Sequence, residues 1–237
     1  MKTTKTTKMA LCGAIVALLG MAFVACGTGA PARPADELVS VPLPILDWTV
    51  LDDQGPPDHG TSTIEMTEFE VDGMRAWHFA GEVTDAFQWG YAGFGLFDME
   101  GSMLELIQSM GAISFMVRGD GQRYLLQVLT SAVRDYAHFA VAFETVANEA
   151  IRINLPLRNF FQPAWGVPVG RLRPETISGL QWMTHESWRP GSYELAIWDV
   201  RLYVPAEMAA LAGEAQAALL AAPVEEEVEN GYGEYQY

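Results

Sequence analysis

The chain has 237 residues, 14 basic against 30 acidic side chains and a formal charge of −16, and half of it is hydrophobic. That balance argues against nucleic-acid binding, because phosphate contacts need clustered Lys and Arg, and it disfavours direct binding to an anionic lipid surface. Four scattered histidines (His59, His78, His138, His185) without metal-ligand spacing, no nucleophile elbow and no glycine-rich phosphate loop before a helix argue against an enzyme. A carboxylate pair flanking a cleft, as a glycosidase uses, is the one catalytic arrangement a sequence leaves open.

Residues 1–25 begin with Lys2, Lys5 and Lys8, and the apolar run 9–24 that follows is shorter than the roughly 20 residues of a membrane-spanning helix. Phe23-Val24-Ala25-Cys26 closes it as a lipobox, with a small residue just before the cysteine. The expectation is a lipoprotein signal peptide over 1–25 and lipidation of Cys26, which anchors the chain to a membrane without spanning it. Such a chain sits in the cell envelope on the extracytoplasmic side. Gly27 in place of Asp after the cysteine permits outer-membrane sorting if the envelope is Gram-negative. Cys12 is lost with the signal, so no disulfide remains. Removal of 1–25 also takes every lysine, leaving 11 arginines against 30 carboxylates, a formal charge of −19. Residues 26–43, rich in Gly, Ala and Pro, read as a flexible tether.

Residues 44–204 are expected to form one domain, long enough for a good core. Strands are predicted over 44–51, 61–71, 74–79, 113–117, 124–129, 136–143, 150–157, 177–184 and 193–203, with a short helix over 103–110 from the spacing of Leu104, Ile107 and Met110. Short strands at regular spacing with turn clusters between them indicate an antiparallel β-sandwich of jelly-roll type, an all-β fold. Gly119-Asp120-Gly121 reads as the tight turn of a hairpin, which accounts for the Arg-Gly-Asp triplet without an adhesion role. Residues 205–222 are rich in helix formers and read as a helix. Residues 223–237, acidic with Tyr232, Tyr235 and Tyr237, read as a disordered tail.

Phe115-x-Val-Arg-Gly-Asp-Gly-x-x-Tyr124 resembles the signature of the complex I intermediate-associated protein 30 (CIA30) family, which is similar in turn to family 11 carbohydrate-binding modules and to the galactose-binding-like sandwiches. Ile45-Leu46-Asp47, Phe79-x-Gly81-Glu82, Phe143-Glu144-Thr145, the run from Ile151 to Phe160, Ile177-Ser178-Gly179-Leu180 and the strand from Tyr193 to Tyr203 resemble further family elements in the same order. The resemblance covers about residues 44–203; Ala150 stands where the family carries Trp. It implies a non-catalytic binding module for a carbohydrate or similar polar ligand or, alternatively, an interaction or assembly factor for a membrane-associated complex.

Sugar rings stack on exposed aromatic faces flanked by polar side chains. The candidate ligand residues on that basis are Tyr136, His138, Gln127 and Trp182, then Trp89 and Arg123, each with a structural reading beside it, since buried Tyr and Trp commonly carry a bonded polar tip. In the strand over 136–143, Phe139, Val141 and Phe143 are expected in the core, and Tyr136, His138, Ala140 and Ala142 on a ligand face. Asp52, Asp53 and Asp58 cluster in one loop. Turn chemistry alone reads this as a solvated loop, and the alternative is a structural calcium held through their oxygens; no other cofactor is expected. The expected partners are the membrane, through the anchor, and a glycan or an envelope protein.

Overall fold

The computed structural model describes residues 38–44, 48–54, 59–97, 99–184 and 190–221. The signal, Cys26, the start of the tether, Asp58 and the acidic tail lie outside the described residues. Among the described residues eleven strands form two antiparallel sheets. The first holds β3 (Thr63–Val71), β4 (Met74–Val83), β11 (Gly191–Pro205), β6 (Ala112–Gly119) and β9 (Ala150–Pro156) in that order, with β1 (Leu38–Pro42) also on β11. The second is ordered β2 (Thr49–Asp52), β5 (Ala92–Leu96), β10 (Ile177–Thr184), β7 (Arg123–Thr130), β8 (Phe139–Glu144). The expected antiparallel sandwich is the fold.

Aromatic rings fill the space between the sheets. Phe79 of the first sheet stacks on Phe94 of the second with centroids 3.4 Å apart, and Trp48 meets Trp77, Phe94 and Trp182 edge-on at 5.1–5.7 Å. Edge-to-face pairs add to the burial energy of such large side chains. Period-two alternation puts Phe94, Trp182, Leu126 and Val141, which lie opposite one another along the second sheet, on the inner face.

Three expectations need correction. The tether ends earlier than residue 43: Val39 and Val41 alternate with polar neighbours, and Val41 is buried where β1 pairs with β11, Leu38 opposite Pro205. The turn after Gly119 does not close a hairpin. β6 belongs to the first sheet and β7 to the second, so the turn carries the chain from one sheet to the other. Turn chemistry and alternation are the same for a hairpin and for such a corner, so the sequence does not separate them. Trp182 is core, as set out below.

The helix predicted over 103–110 is α1 (Gly101–Gln108), which buries Leu106 and Ile107. The C-terminal extension is a 3₁₀ turn, Ala206–Met208, followed by α2 (Ala210–Ala221), which packs on α1 and buries Ala215. Among the described residues no helix is long and apolar enough to cross a membrane.

Candidate functional site

The outer face of the second sheet is lined by small, amide and aliphatic side chains. Its central row runs Thr49, Gly95, Gln181, Gln127, Ala140, each opposite the next on the neighbouring strand. The parallel row is Leu51, Gly93, Met183, Leu125, Ala142. Beyond β8, Phe161 bridges Ala140 in antiparallel fashion, with N–H···O distances of 2.9 and 3.1 Å in the two directions. Opposed residues share a face, so Phe161 extends the central row, and its ring is 70% exposed.

The glycines on β5 keep the face low. A side chain at Gly93 would meet Met183 Sδ, and one at Gly95 would meet the Phe97 ring, which folds back over it. Gln127 is half-buried and, among the described residues, its amide has no partner. Toward α1 the face opens into a cleft of about 440 Å³ lined by Phe97, Met99, Leu104, Leu129, Glu175 and Ser178, among others. That volume is within the range of small-molecule sites.

The structure brings only some of the sequence candidates to this face. Gln127 stands at its centre. Arg123 is exposed at one end of it, opposite Glu144. Tyr136 lies 70% exposed at the other end, in the left-handed region with φ 62°, a conformation that costs a bulky residue energy and recurs at functional sites. Its ring meets His138 edge-on at 6.5 Å. His138 is half-buried, and its Nδ1 is buried without a partner among the described residues. Burial pushes its imidazole below the ordinary histidine range, against the opposing pull of Asp135. Trp89 is 71% exposed, but on the loop between β4 and β5 at the far end of the sandwich.

Trp182 does not reach the face. It is 0% exposed, and shares parity with Leu180 and a row with Phe94 and Leu126. No sugar can stack on it, and its neighbour Gln181 takes the outward position. The parity of Leu180 and Trp182 is the signal that separates the two. Phe161 lies outside the predicted strands, and its pairing with Ala140 is a contact between segments that no local pattern reveals.

The acidic loop is spent on itself. Asp53 is fully buried and accepts hydrogen bonds from Ser62 N–H and Oγ, both at 2.8 Å, while Asp52 Oδ1 accepts from Gln54 N–H at 3.0 Å. Gly60 packs so closely on the Asp53 carboxyl that a Cβ there would lie 2.1 Å from Cγ. Among the described residues no group of three or more His, Cys, Asp or Glu could hold a metal ion; the hydrogen bonds of Asp52 and Asp53 clasp the loop.

The Arg-Gly-Asp segment is likewise structural. Asp120 takes Gln122 N–H at 3.0 Å and Glu194 N–H at 3.2 Å, and Tyr124 Oη lies 3.0 Å from its Oδ2. Thr145 Oγ1 accepts from Gly121 N–H and donates to Gln122 O, both at 3.0 Å, and fills the space a side chain at Gly119 would need. Burial and then Asp120 push the Tyr124 hydroxyl far above its usual range, so it stays protonated as a donor. Phe115 and Val117 sit in the core. The signature is thus a clasp across the corner where the chain changes sheet.

The family described as Complex I intermediate-associated protein 30 (CIA30) matches residues 40–197. The chain belongs to the CIA30 family. No curated protein matches it. Among solved structures, this CIA30-family chain is similar to the family 11 carbohydrate-binding module of the cellulosomal cellulase Lic26A-Cel5E of Clostridium thermocellum, at 15% identity and a TM-score of 0.51, covering 72% of this chain and 96% of the module. A family 11 module from Clostridium thermocellum in complex with a β-1,3-1,4-mixed-linked tetrasaccharide matches at 17% identity and a TM-score of 0.47, over 69% and 94%. The family 30 module of the Clostridium thermocellum cellulase Cel9D-Cel44B matches at 12% and 0.46, over 70% and 97%. The likeness to the first of these modules, at 15% identity, establishes this chain's fold as a carbohydrate-binding-module-like sandwich and nothing of the ligand.

Proposed function

We propose that this chain is a lipid-anchored, extracytoplasmic binding module without catalysis, which takes a glycan on the outer face of its second sheet. The observation that carries the reading is the row Gln181, Gln127, Ala140, Phe161: two amides, a small residue and an exposed ring in register on neighbouring strands. Amides donate to and accept from sugar hydroxyls, and an exposed ring offers the apolar face on which pyranose C–H bonds stack. From β5 to Phe161 the row crosses four inter-strand spacings, roughly 19 Å, the length of a short oligosaccharide. Support for the class of ligand comes from the family 11 module of the cellulase Lic26A-Cel5E, which shares the fold and whose own name is that of a carbohydrate binder. The anchor rests on the lipobox at Cys26. Tritiated palmitate that labels the wild-type chain but not Cys26→Ser supports it; equal labelling refutes it.

The test of the face is retardation on polysaccharide gels and a glycan array, with Gln127→Ala and Phe161→Ala beside the wild type. Binding by the wild type that falls at least about tenfold in either variant, an energy of about 1.4 kcal/mol, with unchanged melting temperature, supports the reading. A folded wild type that binds no glycan overturns it.

A second reading, an assembly factor, draws on the opposite side of the sandwich. There Ala76, Ala196 and Trp198 pack with Phe69, Val71 and Met116 into a small apolar cluster on the outer face of the first sheet. Crosslinking from position 116 to one defined envelope protein would favour it; its absence would leave that cluster as local packing.

A further inference from the structure

One end of the sandwich presents apolar side chains that its core does not use. Trp165 is 65% exposed, and Val167 beside it is exposed too. Their loop is braced rather than slack. Gln162 Nε2 donates to Val167 O at 2.8 Å, and its Oε1 accepts from Val169 N–H at 3.1 Å. Asp135 accepts from Val167 N–H at 2.6 Å, Gly166 N–H reaches Pro163 O at 3.2 Å, and Gly166 packs on Ala137. The N–H groups of Gly166, Val167 and Val169 and the carbonyls of Pro163 and Val167 are thus satisfied within the protein, which lowers the cost of moving the loop to where water is scarce.

The charge pattern of this stretch is also the reverse of the chain's. Between Glu149 and Glu175 there are four arginines and no carboxylate, in a protein with 30 acidic residues. Arg158, Arg171 and Arg173 are exposed, and among the described residues none of them is paired.

The third observation is where the chain enters. Leu38 pairs with Pro205, and Gly111 packs on Leu38 while its carbonyl accepts from Leu157 N–H at 2.9 Å. Leu38 thus lies at the end from which residues 157–161 cross to β8 and begin this loop. Leu38 is the twelfth residue after Cys26, a reach of at most about 40 Å.

We infer that the loop over 158–173 is a second membrane contact: Trp165 and Val167 enter the lipid interface while Arg158, Arg171 and Arg173 meet phosphate headgroups. Tryptophan favours the headgroup level, guanidinium pairs with phosphate, and the two together suit an interfacial element rather than a spanning one. The overall acidity does not prevent this, because screening limits distant charges to about 8 Å at physiological salt. The inference rests on the anchor reading for its orientation of the domain. It would hold the sandwich end-down on the bilayer, with its open face standing away from the surface.

Trp89, equally exposed at the opposite end, is the internal control. β4, with ten residues, leads to its loop and spans about 33 Å. The full chain is expressed in a host that acylates lipoproteins and reconstituted into vesicles of phosphatidylethanolamine and phosphatidylglycerol with brominated acyl chains, which quench only tryptophan in contact with lipid. The expected result is quenching in the wild type that is largely lost in Trp165→Tyr and retained in Trp89→Tyr. In the triple variant Arg158→Gln, Arg171→Gln, Arg173→Gln, quenching should stop rising with phosphatidylglycerol content. Quenching that persists in Trp165→Tyr, or none in the wild type, overturns the inference. Palmitate labelling reads the anchor separately. An unlabelled chain is added to the same vesicles and read the same way, so failure of the anchor and failure of the loop are distinguishable. If Trp165 is unquenched by lipid and its emission shifts with polysaccharide instead, the loop belongs to the glycan face and the membrane contact is wrong.

Discussion

The two ends of the sandwich carry equally exposed tryptophans, Trp89 and Trp165, yet are built in opposite ways. At the Trp89 end the loops are closed by polar side chains that turn inward. Asp53 closes its loop on Ser62, and Asp120, Thr145 and Tyr124 clasp the corner between β6 and β7. At the Trp165 end the polar side chains Gln162 and Asp135 hold a loop whose apolar and cationic residues face out. The first arrangement contributes to folding; the second contributes little to it and presents a surface. The family signature lies at the first end, so its presence reports the fold; the proposed binding surfaces are the open face and the other end.

Cutting the core that joins the ends gives the largest effect. Trp182→Ala should cost about 3–5 kcal/mol, as for other buried aromatics, seen as a lower denaturant midpoint. A loss below about 0.5 kcal/mol, the scale of surface changes, would put that ring back on the surface. Next comes the clasped end. Asp53→Ala and Asp120→Ala each strand buried or half-buried donors and should cost about 1–3 kcal/mol. If either melts like the wild type, the inward clasps carry no stability and the contrast between the ends fails. At the presenting end, Trp165→Ala and Phe161→Ala should stay within about 0.5 kcal/mol of the wild type, because both rings already face water. A melting temperature that falls as far as in Asp120→Ala would make this loop part of the core.

The smallest effect is a pH dependence at the presenting end. Burial lowers the His138 pKa in the folded protein, so on acidification the unfolded chain takes up this proton first. The stability that neutral His138 contributes is complete above the usual value of about 6.5 and is lost as pH falls through that value toward the lower folded one. His138→Gln should flatten this part of the stability profile between neutral pH and the carboxylate range. An unchanged slope would mean that His138 titrates as it does in water.

Much of the fold was legible because sandwich strands advertise their period. Phe139 and Phe143 fall inward and Ala140 and Ala142 outward, as alternation requires. What local pattern could not give is which strands pair. The segment 119–122 has hairpin chemistry and makes a corner between sheets; β1 looks like tether until β11 lies beside it. The site suffered from the same gap. Gln127 shares the outer face with Leu125 by alternation alone. The parity of Trp182 with Leu180 turns that ring inward, and the bridge from Phe161 to Ala140 joins segments that no local pattern connects.

Hydrogen exchange of the full chain with and without a bound polysaccharide tests the central claim most directly, because it reads both ends and the open face at once. The account predicts slowed exchange over 125–129, 139–142, 160–162 and 179–183, with the corner at 119–122 unchanged. Protection confined to that corner, or to the outer face of the first sheet around Trp198, would contradict it.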